Sequence, residues 1–291
     1  MKKPIIFACF IFLSICFTYW SCQKDNSPAT TPAITDTQVG DAENISIVSN
    51  VYDEVDNQVQ KALRGSLKSQ IIKDTSITST EDSTSTPENK TISWKKGLID
   101  KELIYNTIKV NGKVVSGAIN VLISYPKNGD TTDEKKWLRT ITFDNYTVDG
   151  RKFEGTKTVT FKGRVDGTHP EWDITLTGGK VTLKNGKTLT FNYTRTRKMT
   201  EGYDSKVNTD NVFEINGTGS GTSTSGVSFT TADSNLVKVN GCPFYKSGSI
   251  TNISNKKTTT IYYNGGSSCS PTATIEANGK VKSINTDTES K

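Results

Sequence analysis

The segment Arg139-Thr-Ile-Thr-Phe-Asp-Asn-Tyr-Thr-Val-Asp-Gly-Arg-Lys-Phe-Glu-Gly155 decides the fold class. Ile141 and Phe143 alternate with threonines, and a period of two is typical of a strand that buries one face and exposes the other. Asp149-Gly150 is a strong hairpin signal, because both residue types tolerate the positive φ angles of a type I′ turn. The segment therefore predicts two antiparallel strands joined by a tight turn.

The same pattern recurs along residues 91–291. The alternating apolar sets are Val159 and Phe161, then Trp172, Ile174 and Leu176, then Leu189, Phe191 and Tyr193. The turn dipeptides are Asn111-Gly112, Asn128-Gly129, Asp149-Gly150, Asp166-Gly167, Asn185-Gly186, Asn216-Gly217, Asn240-Gly241, Asn264-Gly265 and Asn278-Gly279. We therefore predict a mainly β protein, in which one antiparallel meander sheet has a single covered face. Thr222–Thr231 has few large side chains and several nearby glycines, which predicts a weak or edge segment.

Residues 41–72 have a different period, typical of one amphipathic helix. The apolar positions recur at steps of three and four: Val48, Val51, Tyr52, Val55, Val59, Ala62 and Leu63. Asp53, Glu54, Asp56, Gln60 and Lys61 occupy the other face. Asp41 or Asn44 is expected to cap the start of this helix and Gly65 to end it. We interpret the apolar stripe as the cover of the β core; the alternative is a helix that binds a partner.

The first residues indicate export. Lys2 and Lys3 precede an uncharged apolar run, Pro4 to Trp20, which is shorter than the roughly 20 residues of a membrane span. Residues 1–21 therefore read as a signal peptide, with an uncleaved anchor helix as the alternative. Ser21-Cys22 resembles a bacterial lipobox, in which Cys22 would be acylated and attach the chain to a membrane.

Composition separates the remaining segments and limits the function classes. Residues 22–40 are rich in Thr, Ser and Pro and are expected to form a flexible tether, and residues 73–90 a polar loop. A net charge of +6, spread along the chain, is too small and dispersed to indicate nucleic-acid binding. The hydrophobic fraction of 33% predicts a thin or one-sided core.

Two cysteines remain once the leader and the lipid site are set aside. Cys242 and Cys269 both lie near turn glycines, where neighbouring strands come close. In an exported protein an even pair predicts a disulfide. Free buried thiols and a redox-active pair are the alternatives, although the Cys-X-X-Cys spacing typical of redox pairs is missing between them.

Catalytic and metal-binding patterns are weak in this sequence. His169 is the only histidine and lies in a turn, and the two late cysteines have no histidine nearby to complete a zinc site. We therefore predict no enzyme activity, no metal and no cofactor. The carboxylates that a hydrolase could use as acid and base are Glu171, Asp173, Glu201 and Asp204.

Three phrases carry a family resemblance: the opening segment, Leu176-Thr-Gly-Gly-Lys-Val-Thr-Leu-Lys-Asn-Gly-Lys187, and Gly241-Cys-Pro with Ser247-Gly-Ser-Ile250 and Cys269. They resemble a family of exported Bacteroidota lipoproteins with no assigned reaction. The resemblance implies an all-β lipoprotein. Gln23-Lys24-Asp25 resembles the signal that directs such lipoproteins to the outer face of the outer membrane. Tyr263-Asn264-Gly265-Gly266 stands where family members often carry an Asp-containing turn, so an acidic cluster is missing there.

Two functions follow from these observations. The first is a lipid-anchored protein of the outer membrane, facing the cell exterior, with a structural or binding role and a possible glycan or matrix ligand. The second is a hydrolase of surface polysaccharides or other polymers that uses paired carboxylates. A continuous sheet with one helix favours the first, and a cleft between two domains favours the second.

Overall fold

The computed structural model describes residues 32–71, 88–95, 98–110, 112–124, 137–205, 210–266 and 268–287. In this part of the chain one helix precedes thirteen strands. The elements are α1 (Asp36–Ile71), β1 (Glu88–Lys95), β2 (Leu98–Val110), β3 (Lys113–Ser124), β4 (Leu138–Val148), β5 (Arg151–Arg164), β6 (Pro170–Thr182), β7 (Thr188–Glu201), β8 (Val212–Thr222), β9 (Ser228–Val239), β10 (Tyr245–Ser254), β11 (Lys257–Tyr263), β12 (Thr272–Ala277) and β13 (Lys280–Asn285).

The strands form a single sheet in which each strand pairs antiparallel with the next one along the chain. The predicted meander is therefore confirmed. Asp149-Gly150 joins β4 to β5 and Asn278-Gly279 joins β12 to β13, and all four residues have positive φ. These two-residue connections have the backbone conformation that the turn dipeptides predicted.

Alternation along the strands sorts side chains to the two faces of the sheet. In β7, Leu189, Phe191 and Tyr193 are buried. Thr188, just before them, and Asn192, between Phe191 and Tyr193, are exposed. The prediction of one covered face is confirmed, and this face packs with α1 in one hydrophobic core.

The prediction of an edge segment at Thr222–Thr231 was wrong, because these residues end β8, connect it to β9 and begin β9, and both strands lie inside the sheet. The glycine-rich strand β8 lies inside the sheet, between β7 and β9. A Cβ at Gly219 would lie 3.0 Å from the Phe191 ring, and one at Gly221 would lie 2.8 Å from the Phe229 ring. The glycines leave room for large side chains of the neighbouring strands, so they mark close packing.

Asn216-Gly217 was wrongly predicted as a turn. Both residues lie within β8, at a register shift against β9. The Asn216 side-chain oxygen accepts a hydrogen bond from the Asn235 backbone nitrogen at 2.7 Å. A Cβ at Gly217 would lie 2.8 Å from the Arg195 side chain. Asn216 therefore stabilises an irregular ladder, and Gly217 makes room for Arg195.

The helix begins before Asp41, the earlier of its two predicted caps, and continues beyond Gly65, its predicted end. Neither Asp41 nor Asn44 caps it, because Thr35 does so: the Thr35 hydroxyl accepts from the Gln38 backbone nitrogen at 3.2 Å and Gln38 Oε1 accepts from the Thr35 nitrogen at 3.1 Å. This reciprocal pair is a capping box. Gly65 does not end the helix, which continues to Ile71. A helix of 36 residues is about 54 Å long.

The sheet curls around α1. Every residue from Ala42 to Asp53 is buried, so the helix is covered on its polar face as well as on its apolar stripe. Near its start, Ser46 contacts Tyr263 of β11. Further along, Gln58 Oε1 accepts a hydrogen bond from Tyr105 of β2. The helix therefore crosses the strands, from the late part of the sheet to the early part.

Lys113 closes this curl, because it forms an ion pair with Asp287, just beyond β13. Its ammonium also lies 5.4 Å from the centre of the Phe244 ring.

The predicted signal peptide lies outside the described residues, and so do most of the predicted tether and of the predicted polar loop. No helix among the described residues has the length and apolar character needed to cross a membrane.

Candidate functional site

The polar face of α1 meets a cluster of charged side chains on the concave face of the sheet. Asp53 is the first centre of this cluster. Arg195 Nη1 donates to Asp53 Oδ2 at 3.1 Å, and the Tyr245 hydroxyl donates to the same oxygen. Lys157 Nζ lies 3.7 Å from Asp53 Oδ1. Arg195 also binds Asp233 of β9, with 2.6 Å between Nε and Oδ2, so one guanidinium joins the helix to two strands.

Asp56, one helical turn later, is the second centre. Its Oδ2 lies 2.8 Å from Lys157 Nζ and 3.1 Å from Arg197 Nη1. Arg139 Nη1 lies 3.7 Å from Oδ1. Lys157 also donates to the Tyr52 backbone oxygen at 2.6 Å. Three strands, β4, β5 and β7, thus supply cations to a single carboxylate.

Both carboxyl groups stay ionised inside the protein. Burial by itself would raise the pKa of Asp53 and of Asp56. Arg195 and Lys157 beside Asp53, and Lys157 and Arg197 beside Asp56, outweigh burial and hold each pKa below its ordinary 3.8. Carboxylates held by two or three cations are poor proton donors, so the geometry suits joining helix to sheet better than acid–base chemistry.

Lys238 of β9 is the least compensated member of the charged cluster. Its side chain is buried, and its ammonium has no hydrogen-bond partner among the described residues. The nitrogen lies 5.3 Å from the centre of the Tyr245 ring. Burial lowers the pKa of Lys238 to about 8, although Glu54 and Asp53 act in the opposite direction. A buried cation without a close partner costs stability at neutral pH.

A small cleft lies beside this cluster, where Lys113 connects the start of β3 to the residues just beyond β13. It is partly open to solvent. Its lining includes Asn50, Glu54 and Gln58 of α1, with Lys113, Tyr146 and Pro243 opposite. Neither polar atom of the buried Asn50 amide has a hydrogen-bond partner in the described part of the chain. Water entering from the cleft can satisfy this amide.

The predicted disulfide between Cys242 and Cys269 is confirmed, with a Cα–Cα distance of 5.6 Å. Cys242 lies in the connection between β9 and β10, and Cys269 in the connection between β11 and β12. The bond therefore joins the β9–β10 connection to the β11–β12 connection, and both lie at the same end of the sheet. Cys22 and the predicted export signal Gln23, Lys24 and Asp25 lie outside the described residues.

Replacing both Cys242 and Cys269 with serine should lower the free energy of unfolding by about 3 kcal/mol, because the closed loop constrains the unfolded chain. Urea unfolding of the parent and the double variant under non-reducing conditions measures the difference. The parent treated with reductant is the matched control and should unfold with the variant. An unchanged urea midpoint in the double variant would show that the bond contributes nothing.

The carboxylates of the hydrolase hypothesis are not brought together in one cleft. Glu171 and Asp173 project from β6 on the outer face and share Lys162, at 3.9 and 3.4 Å. Glu171 is paired in register with Lys198 of β7. Glu201 ends β7, and the exposed Asp204 lies in the connection beyond it.

His169 lies in the connection between β5 and β6, as the sequence indicates. Its Nδ1 lies 2.6 Å from Asp166 Oδ2, and its ring packs edge-on against Tyr203. Lys198 Nζ contacts the same Asp166 carboxylate at 2.8 Å. The His169 backbone nitrogen and Lys198 lower the pKa of Asp166. In the described part of the chain, the His169 ring therefore contacts the Asp166 carboxylate and the Tyr203 ring.

Within the described residues, no group of three or more His, Cys, Asp or Glu side chains is placed to hold a metal ion. Comparison of the chain with family models, with curated proteins and with solved structures gives no match in any of the three.

Proposed function

We propose that this protein is a lipid-anchored lipoprotein of the bacterial outer membrane, exposed at the cell surface, with a structural or binding role. The observation that carries the proposal is the apolar leader that ends in Ser21-Cys22. Residues 33–291 form one compact unit, which begins eleven residues after Cys22. A folded unit joined by a short segment to an acylated cysteine is the arrangement expected of a membrane-anchored protein.

The charges of the fold support a role without catalysis. Asp53 and Asp56 are neutralised by cations of the sheet, in contacts of 2.8 to 3.7 Å that join α1 to its strands. Glu171 and Asp173 share one lysine on the outer face of the sheet. These groups serve packing and solubility, which leaves the outer surface and the connections between strands for binding a glycan or matrix partner.

Cys22→Ala should leave the protein unprocessed or soluble in the periplasm, because the thiol is the acyl acceptor and a methyl group cannot replace it. Cells expressing the parent and the variant are separated into detergent and aqueous phases, and the intact masses are compared. Cys16→Ala is the matched control, since bulky Ile15 precedes that cysteine. It should behave as the parent. Recovery of the Cys22 variant in the detergent phase with the parent's processed mass would refute the proposal.

Replacing Gln23, Lys24 and Asp25 together with alanine should keep the lipid and move the protein to the inner side of the envelope. The reason is the resemblance of these residues to a surface-export signal. Digestion of intact cells with an external protease measures the change, and replacing Asn26 and Ser27 is the control. If the triple variant is digested as fast as the parent, these residues do not direct export.

A further inference from the structure

Two neighbouring hairpin tips carry a concentration of exposed cations. Asn255-Lys256 joins β10 to β11, and Asn278-Gly279 joins β12 to β13. Strands β11 and β12 pair directly, with Thr260 opposite Glu276. Extending this register by about three residues brings Lys257 level with Gly279, so the two tips project side by side. The exposed lysines on them are Lys256, Lys257, Lys280 and Lys282.

The same tips carry exposed aliphatic side chains. Val281, between Lys280 and Lys282, is 67% exposed, and Ile253, just before the first tip, is 48% exposed. We call these four lysines with Ile253 and Val281 the tip surface. Apolar side chains among lysines at the end of a hairpin are suited to the boundary between lipid headgroups and acyl chains.

The tip surface lies near the start of α1. Gln38, in the first turn of α1, donates to Thr259 of β11 at 3.3 Å, and Thr259 is two residues beyond Lys257. The eleven Cα–Cα steps from Cys22 to Ala33 can span at most about 40 Å. An acyl group on Cys22 would therefore limit how far the start of α1 can lie from the bilayer.

We propose that the tip surface rests on the anionic lipid headgroups of the membrane to which Cys22 is anchored, an inference that depends on the proposed lipidation for its orientation. Each lysine near an anionic bilayer strengthens binding by about fivefold. Exposed Glu276 and Asp36 lie nearby and offset part of this attraction. Attraction over a Debye length of about 8 Å acts only at close approach, so the tip surface has to reach the headgroups themselves.

The test uses the mature chain, residues 22–291, carrying Cys22→Ala, so that no acyl chain contributes. Sedimentation with vesicles of phosphatidylglycerol and phosphatidylethanolamine at 0.15 M salt measures binding, and phosphatidylcholine vesicles are the uncharged comparison. The Lys256→Gln/Lys280→Gln variant should bind anionic vesicles about 25-fold more weakly, from about fivefold per lysine. The Lys184→Gln/Lys187→Gln control removes two exposed lysines from another turn and should stay within about twofold of the parent.

A second pair separates the apolar contribution from the charge. Val281→Ser should weaken binding several-fold. Val165→Ser, at a position 61% exposed in the connection between β5 and β6, should leave binding unchanged.

Equal losses in the two lysine variants would overturn the proposal, and so would a parent that does not prefer anionic vesicles. Displacement by inorganic phosphate beyond that by sodium chloride of equal ionic strength would also overturn it, because that result indicates a site for small anions. Since the chain tested carries no lipid, failure here is distinguishable from failure of the anchor itself.

Discussion

Asp56→Ala is expected to lower the free energy of unfolding by about 4 kcal/mol, because removing one member of a buried ion cluster leaves its partners charged and uncompensated. Lys157 and Arg197 would lose contacts of 2.8 and 3.1 Å to this carboxylate. Asp56→Asn keeps the shape and removes the charge, so it should cost nearly as much. Urea unfolding at pH 7 measures both variants.

The matched control is Asp173→Ala, which breaks a contact of 3.4 Å to Lys162 on the outer face. Half-exposed pairs contribute about 0–1 kcal/mol, so this variant should unfold close to the parent. A double variant, Asp56→Ala with Lys157→Met, should recover part of the loss, because the uncompensated ammonium is gone. Equal effects at Asp56 and Asp173 would mean that the buried cluster does not hold the helix.

Lys238→Met is expected to raise the free energy of unfolding by about 3 kcal/mol at pH 7. Methionine keeps most of the volume and removes a buried ammonium that has no hydrogen-bond partner among the described residues. The interval between the ordinary pKa of 10.5 and the folded value of about 8 corresponds to about 3 kcal/mol. Urea unfolding of the parent and the variant measures the gain.

The advantage of the Lys238 variant should depend on pH. Below pH 8 both states of the parent are protonated, and the folded state carries the full cost of the buried charge. Between pH 8 and 10.5 the folded state loses its proton while the unfolded state keeps it, so the parent gains stability relative to the variant. The difference should therefore shrink by pH 10. Lys184→Met, at an exposed turn, is the control and should change little at either pH. A loss of stability in Lys238→Met at pH 7 would contradict this account.

Much of the sheet could be predicted because its signals are local. Alternation in β6 and β7 identified the buried side chains, and Asp149-Gly150 and Asn278-Gly279 identified tight turns. The turn prediction at Asn216-Gly217 failed because the same dipeptide can also occur in a bulged interior strand, where a side chain of the neighbouring strand supplies the bulk that the glycine lacks. That bulk comes from Arg195 of β7, a contact that depends on strand pairing and not on local sequence.

The buried charged cluster was missed because the charged residues of the helix were assigned to the face opposite the one expected to cover the core. A signal was present in the sequence: Lys157 falls in phase with Val159 on β5, and Arg195 falls in phase with Tyr193 on β7. Both cations therefore had to face the apolar side. Asp53 and Asp56, three residues apart on the helix, were the available counter-charges. What the sequence does not contain is the curvature that lets the sheet cover both faces of α1.

The anchor is the part of the account that rests on sequence, since Cys22 precedes the described residues. The disulfide prediction, which rested on the same reading of the chain as exported, agrees with the structure. An oxidised pair is expected in an exported chain, so the two predictions are consistent. The compact unit that begins at Ala33 leaves eleven residues for the tether.

The intact mass of the protein extracted from the membranes of its own cells tests the lipid anchor most directly. We expect a chain that begins at Cys22, lacks residues 1–21, and carries the added mass of a diacylglyceryl group. Treatment with reductant should add two hydrogens, from the Cys242–Cys269 bond. A mass that retains residues 1–21, or a processed chain whose Cys22 is unmodified, would contradict the account.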